Sequence, residues 1–261
     1  MPVLALCSIK GSPGVTTTAI ALAGSWRPRP ATVVECDAAG GDIAAAMGLP
    51  SEPGLVGLAA AVRRKVETGH LDRHTQQPSV GLEVVPAPVG PGQASAAIHA
   101  LADSGLVPNL AADPRLMVIA DCGRLDPGSP SRRVLGQATR ALVLIRPRGE
   151  DLAHLAPQIP TLQTIAPSLE LLLVGPAEYS AKEITATLRI PVAGHLPRDS
   201  RSATILLRQG FTLRGTQRLP LVRSACSVAG QLAGRVHATG RERSDMVTEA
   251  TPLHHRMVGR P

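Results

Sequence analysis

The sequence predicts an α/β fold: a doubly wound, mainly parallel sheet of seven strands flanked by helices. Three observations lead there. Seven short apolar runs recur along the 261 residues, each continuous rather than alternating in hydrophobicity. Such runs mark strands buried on both faces, the condition of a parallel sheet covered by helices. Ala- and Leu-rich stretches separate most of them, and strand alternating with helix is the pattern of doubly wound folds.

The first strand is VLALCSI, Val3–Ile9, followed across a glycine-containing turn by a helix over Thr16–Gly24. The second, Ala31–Cys36, leads into the acidic stretch ECDAAGGD. Asp42 precedes IAAAMGL and is assigned as a helix N-cap. A helix over Leu55–Lys65 comes before the third strand, Leu82–Ala87, and the Pro- and Gly-rich segment Pro86–Gly92 reads as a loop. Then follow a helix over Gln93–Ala102, a strand over Arg115–Cys122, a helix over Ser131–Gln137 and strands over Ala141–Pro147 and Leu169–Gly175. A helix over Ser180–Leu188, the strand Pro191–Leu196 and helices over Ser200–Gln209 and Leu221–Val236 complete the pattern. In the last helix Leu221, Ala225, Val228, Ala229, Leu232 and Val236 recur at helical spacing, forming one apolar face. Periodicity is lost from Thr239, so residues 1–237 are expected to form one domain and 238–261 a disordered basic tail.

Composition narrows the function. Trp26, Tyr179 and Phe211 are the only aromatic residues, which argues against recognition of single strands by base stacking. Basic residues exceed acidic ones by 27 to 20, an imbalance that the Arg, Ala, Gly and Pro bias of a GC-rich genome accounts for. Eleven arginines nevertheless lie between Arg198 and Arg260, so nonspecific DNA binding is kept as an alternative. Cys7, Cys36, Cys122 and Cys226 have no zinc spacing, and the first three lie in or beside strand-like runs as small apolar residues. His195, His254 and His255 read as structural or solvated. Lys10 and Gly11 break the N-terminal apolar run too early for a signal peptide, and no run approaches the roughly 20 apolar residues of an integral membrane segment. The chain is expected to be soluble and cytoplasmic.

Chemistry concentrates where strands end. Ligands of open α/β sheets bind at the carboxyl ends of the strands. The first strand ends in KGSPGVTTT, Lys10–Thr18. The second is followed by Asp37, and the fourth ends IADCGR, with Asp121 and Arg124; Arg124 is read as a surface residue. A glycine-containing turn between strand and helix offers backbone N–H groups to phosphate. The ordinary GxxxxGK[ST] pattern does not fit, because Ile9 stands for its first Gly and Val15 for its Lys.

KGSPGVTTT resembles the deviant phosphate loop of the ParA/MinD-type P-loop ATPases, Lys-Gly-Gly-x-Gly-Lys-Thr-Thr. Lys10, Gly11, Gly14, Thr16 and Thr17 match, whereas Ser12 and Val15 depart. VVECDAAGGDIAAAMGLP is similar to that family's second motif and LMVIADCG to its Walker B strand. YSAKEITATLRIPVAGHLPRDSRSATILLRQG resembles its late segment, so the likeness spans about residues 1–235. It implies ATP and Mg²⁺ as cofactors. Gly11, Ser12, Gly14, Val15, Thr16 and Thr17 would line the nucleotide phosphates, Pro13 supplying no N–H. Thr16 and, through water, Asp121 would hold the metal. Asp37 would position the attacking water, and Lys10 would reach a partner's phosphates across a nucleotide-dependent homodimer. Val15 removes the lysine that neutralises β- and γ-phosphates, so hydrolysis is expected to be weak or absent. VGPAEY, Val174–Tyr179, replaces the family's adenine-reading Asn. Three functions follow from the resemblance: an ATP-binding switch positioning cellular machinery, an active DNA-partition ATPase, and a pseudo-ATPase scaffold of pilus or secretion assembly resembling CpaE and TadZ.

Overall fold

The computed structural model describes residues 3–10, 13–28, 30–64, 71–166, 168–211 and 215–249. The chain begins with β1 (Val3–Ser8), α1 (Val15–Ser25), β2 (Thr32–Glu35), α2 (Ile43–Met47) and α3 (Leu55–Arg63). A hairpin of β3 (Gln76–Ser79) and β4 (Leu82–Val85) follows, then α4 (Pro91–Asp103), α5 (Leu106–Ala112), β5 (Val118–Arg124) and α6 (Ser131–Gln137). The second half contains β6 (Arg140–Ile145), α7 (Gly149–Leu155), α8 (Ile159–Ile165), β7 (Leu169–Val174) and α9 (Ala181–Leu188). It ends with β8 (Val192–Leu196), α10 (Ser200–Gln209) and α11 (Pro220–Glu249).

The strands form one sheet in the order β3-β4-β2-β5-β1-β6-β7-β8. Every pairing is parallel except β3 with β4. Successive side chains of a strand point to opposite faces, and β1 obeys this: Val3, Ala5 and Cys7 enter one core layer, Leu4 and Leu6 the other. The first layer receives Leu58 of α3, Ile98 of α4, Leu135 of α6 and Leu162 of α8. The second receives Ile20 and Leu22 of α1, Leu206 of α10 and Leu221 and Ala225 of α11. Both faces are therefore covered, which is why the strands read as unbroken apolar runs. The fold class stands as expected.

All seven expected strands are present, and β3 makes the sheet eight-stranded. Its sequence, QQPS, carries no apolar run and includes Pro78, a residue that sheets tolerate at an edge. It is tied to β4 by register rather than hydrophobicity, through Ser79 opposite Leu82 across a turn at Val80–Gly81. Helices α5, α7 and α8, absent from the sequence reading, are single amphipathic turns extended by a few residues and contain or follow prolines. The last helix continues through the 238 boundary to Glu249, while residues 250–261, including His254 and His255, lie outside the described residues. No helix among the described residues is long and apolar enough to cross a membrane.

Candidate functional site

The neighbouring strands β1, β2 and β5 end together, beside the N-terminus of α1. Gly14 precedes α1 with φ 86°, a left-handed conformation that glycine adopts without Cβ strain. Its carbonyl accepts the Thr18 N–H at 2.9 Å, closing the first turn. No side chain caps α1 and its first turn holds no acid. The helix therefore presents backbone N–H groups and the positive end of its dipole at the carboxyl edge of the sheet. Thr16 and Thr17 are half-buried there. Val15 turns the other way: it is buried and packs in the layer with Leu4, Leu6 and Ile20. What it offers the site is its backbone. Gly11 and Ser12 lie outside the described residues.

Asp121 is fully buried on β5. Its Oδ1 accepts the Gly123 N–H at 3.1 Å, while Oδ2, also buried, has no hydrogen-bond partner. Burial pushes its pKa up to about 6, against the opposing effects of the nearby Thr16 hydroxyl and the Gly123 N–H. A buried carboxylate oxygen without a donor is costly. A divalent cation meets that need, and a threonine hydroxyl beside an aspartate is an oxygen donor set suited to Mg²⁺. The residues present thus fit the metal implied by the resemblance.

Asp37 lies just beyond β2, half-buried, its Oδ1 accepting the Ala39 N–H at 2.8 Å. Burial raises its pKa, and the Ala39 hydrogen bond opposes the rise. Its carboxylate rests directly on Gly123, where φ is 56°. A Cβ at that glycine would fall 1.8 Å from Asp37 Oδ2. The pair Asp121-x-Gly123 therefore does two jobs, one residue carrying the buried carboxylate and the other making room for Asp37.

Glu35 joins these elements. It is buried opposite Asp121 in the sheet register. Its Oε1 accepts the N–H groups of Asp42 at 2.7 Å and Ile43 at 3.0 Å; Oε2 accepts that of Ala87 at 2.8 Å. Burial outweighs these three bonds and pushes its pKa to about 7. This corrects the reading of Asp42 as a capping side chain: Asp42 occupies the N-cap position of α2 but makes no cap bond, and Glu35 satisfies the helix's first N–H groups instead. The three buried cysteines, Cys7, Cys36 and Cys122, line the layer below, and Ser131 Oγ donates to the Cys36 carbonyl at 2.6 Å.

Lys10 is exposed, and its Nζ contacts His154 Nε2 on α7. That helix is anchored by a two-pronged pair, Arg146 Nε to Asp151 Oδ2 at 2.5 Å and Nη2 to Oδ1 at 3.0 Å. Arg124 is a surface residue, paired with Asp126 at 3.4 Å. His195 is structural: its Nε2 meets the Gly175 carbonyl at 2.6 Å. In the stretch after β7, Tyr179 is exposed, with its hydroxyl beside Gly149. Of the expected residues, Gly14, Thr16, Thr17, Asp37 and Asp121 converge on one edge, and Lys10 stands next to it. Sequence reading missed the hub role of Glu35, the seat at Gly123 and the Lys10–His154 contact. Only the first two had a local signal, an acid at a strand's end and a glycine two residues after one.

A parallel sheet of this order, with a glycine turn into an uncapped α1 and a buried acid on β5, is the fold of the ParA/MinD P-loop ATPases. Solved structures with that fold include the cell division ATPase MinD of Pyrococcus furiosus, TM-score 0.69 at 15% identity over 89% of this chain and 98% of that one. A ParA family ATPase from Chlorobium tepidum aligns at TM-score 0.68 and 17% identity, over 87% and 97% of the two chains. The septum site-determining protein MinD of Pyrococcus horikoshii, in complex with Mg-ADP, gives TM-score 0.68 at 14% identity over 88% and 95%. No protein-family model matches the chain, and no curated protein does.

Proposed function

We propose that this protein is a nucleotide-binding switch of the ParA/MinD type that positions cellular machinery, binding Mg·ATP and hydrolysing it weakly or not at all. The observation that carries the reading is Asp121, a fully buried carboxylate with no cationic partner among the described residues, beside the Thr16 hydroxyl at the N-terminus of an uncapped helix. A protein has little reason to keep a bare buried carboxylate unless something cationic meets it. When bound, Mg²⁺ would supply the positive charge that neutralises phosphate. This chain's residues do the rest. Thr16 and Asp121 hold the metal, the first-turn N–H groups of α1 bind phosphate, and Asp37 on its Gly123 seat orients a water. Gly11, Ser12, Gly14 and Thr17 would complete the phosphate cradle. Val15, packed into the core, supplies no charge to the γ-phosphate, and charge clamps of that kind contribute about 10²–10⁵ in rate.

Lys10, exposed at the edge of the site, would serve a partner's nucleotide in a homodimer and leave its His154 contact to do so. Light scattering with and without Mg·ATP, run alongside a phosphate-release assay, tests the switch. The expected outcome is a doubling of mass with Mg·ATP that Lys10→Ala abolishes, and little phosphate release. A chain of constant mass that turns over about once per second, within the ordinary enzyme range, would overturn it. The pseudo-ATPase scaffold reading rests on Val15 alone and becomes the better one if no nucleotide binds. Partition on DNA is supported by exposed Arg201, Arg208, Arg218 and Arg223 in and around α10 and the start of α11; binding that falls steeply with salt is its signature.

A further inference from the structure

At the other end of α1 from Thr16 the structure holds a cavity of about 210 Å³ that nucleotide binding does not use. Its apolar wall is made by Phe211, Val222 and Val80, the last 63% exposed at the β3–β4 turn. Its polar wall is made by Ser25, Arg27, Thr216, Gln217 and Cys226. Ser25 closes α1 and is buried, and its hydroxyl has no hydrogen-bond partner. Arg27 spends one nitrogen, Nη1, on the Gly24 and Trp26 carbonyls at 3.1 and 2.7 Å. Among the described residues its other N–H groups make no hydrogen bond, and no carboxylate lines the cavity.

The lining thus combines one cation and neutral polar groups with an apolar wall and, among the described residues, no acid. We propose that this cavity binds a small organic anion, a carboxylate with a short apolar body, its charge toward Arg27 and its body against Phe211 and Val222. The donor chemistry selects acceptors, and the absence of acids excludes amines. The volume suits a chain of about six carbons, below the range of drug-sized sites. The site stands at the opposite edge of the sheet from Asp121, so its test is independent of the nucleotide reading.

Two reporters are built in. Trp26, the only tryptophan, lies between Ser25 and Arg27, and Cys226 is the exposed cysteine, the other three being buried. The probe is hexanoate, with hexanamide as the uncharged comparison. In the full-length chain, hexanoate should saturably slow alkylation of Cys226 by iodoacetamide and shift Trp26 fluorescence with the same midpoint, whereas hexanamide should do neither. Arg27→Gln, which keeps donors for the backbone carbonyls but removes the charge, should raise that midpoint about tenfold. Val80→Glu, an exposed change that leaves the core intact, should raise it in the same direction by repulsion. Unprotected Cys226, equal protection by hexanamide, or unchanged midpoints in both variants would each overturn the proposal.

Discussion

Replacing Asp121 by Asn separates what the residue costs the fold from what it does for ligand. A rise in pKa from 3.8 to about 6 means that ionisation in the folded chain is disfavoured by about 3 kcal/mol, at about 1.4 kcal/mol per pH unit. The sign follows from proton binding. Between those two values the native state holds a proton that the unfolded chain has already released, so stability falls as pH rises through the window. Asn keeps an oxygen for the Gly123 N–H and removes the charge. The variant should therefore be more stable than the wild type by about 1 kcal/mol near pH 4.5 and by about 3 kcal/mol above about pH 6.5. Urea unfolding of both proteins across that range, without nucleotide, measures the difference. Adding Mg·ATP should narrow the difference above about pH 6.5, since a ligand at about 100 times its Kd stabilises by roughly 2.7 kcal/mol and the wild type binds it better. A variant no more stable than the wild type at any pH would refute the reasoning, because it would show that the carboxylate is not desolvated.

Gly123→Ala should lower stability by about 1–2 kcal/mol for the left-handed backbone alone, and more for the collision with Asp37; adding Asp37→Ala should recover that excess in a double-mutant cycle read by urea unfolding. Glu35→Ala strands the N–H groups of Asp42, Ile43 and Ala87 and should cost about 3 kcal/mol, with an unchanged unfolding midpoint counting against its hub role. Val15→Lys should lower ligand-free stability by about 1–3 kcal/mol as the stem leaves the core layer. It should also tighten Mg·ATP binding roughly ten- to a hundredfold. Calorimetry that finds no gain in affinity would mean that the turn is not shaped around a γ-phosphate.

The sheet was legible because burial on both faces leaves a plain mark: β1, β5, β6 and β7 are apolar at most positions on both faces. β3 was not, since Gln76–Ser79 is held at an edge by pairing to β4 rather than by its own hydrophobicity. The site was legible where chemistry is local. Gly14, Thr16, Thr17 and Asp121 stand at the ends of strands or the start of a helix, where function in this architecture gathers. Glu35 was seen as an acid but not as the link between β2, α2 and the loop after β4, because its partner Ala87 is distant in sequence and offers only a backbone N–H. The Lys10–His154 contact joins residues 144 apart in the chain, after the adjacent strands β1 and β6, and has no sequence signal. Val15 was recognisable as a missing lysine, and its place in the core layer with Leu4 and Leu6 explains why the position tolerates valine.

The buried carboxylate of Asp121 and the uncapped start of α1 form the proposed Mg·ATP site. Isothermal titration of ATP into the full-length chain at about pH 7.5, where Asp121 is ionised, tests it most directly when run once with Mg²⁺ and once with EDTA. One saturable site per chain is expected in Mg²⁺, weakened at least about tenfold by EDTA and by Asp121→Asn alike. Absence of binding at about millimolar ATP, or binding of equal strength with and without Mg²⁺, would contradict it.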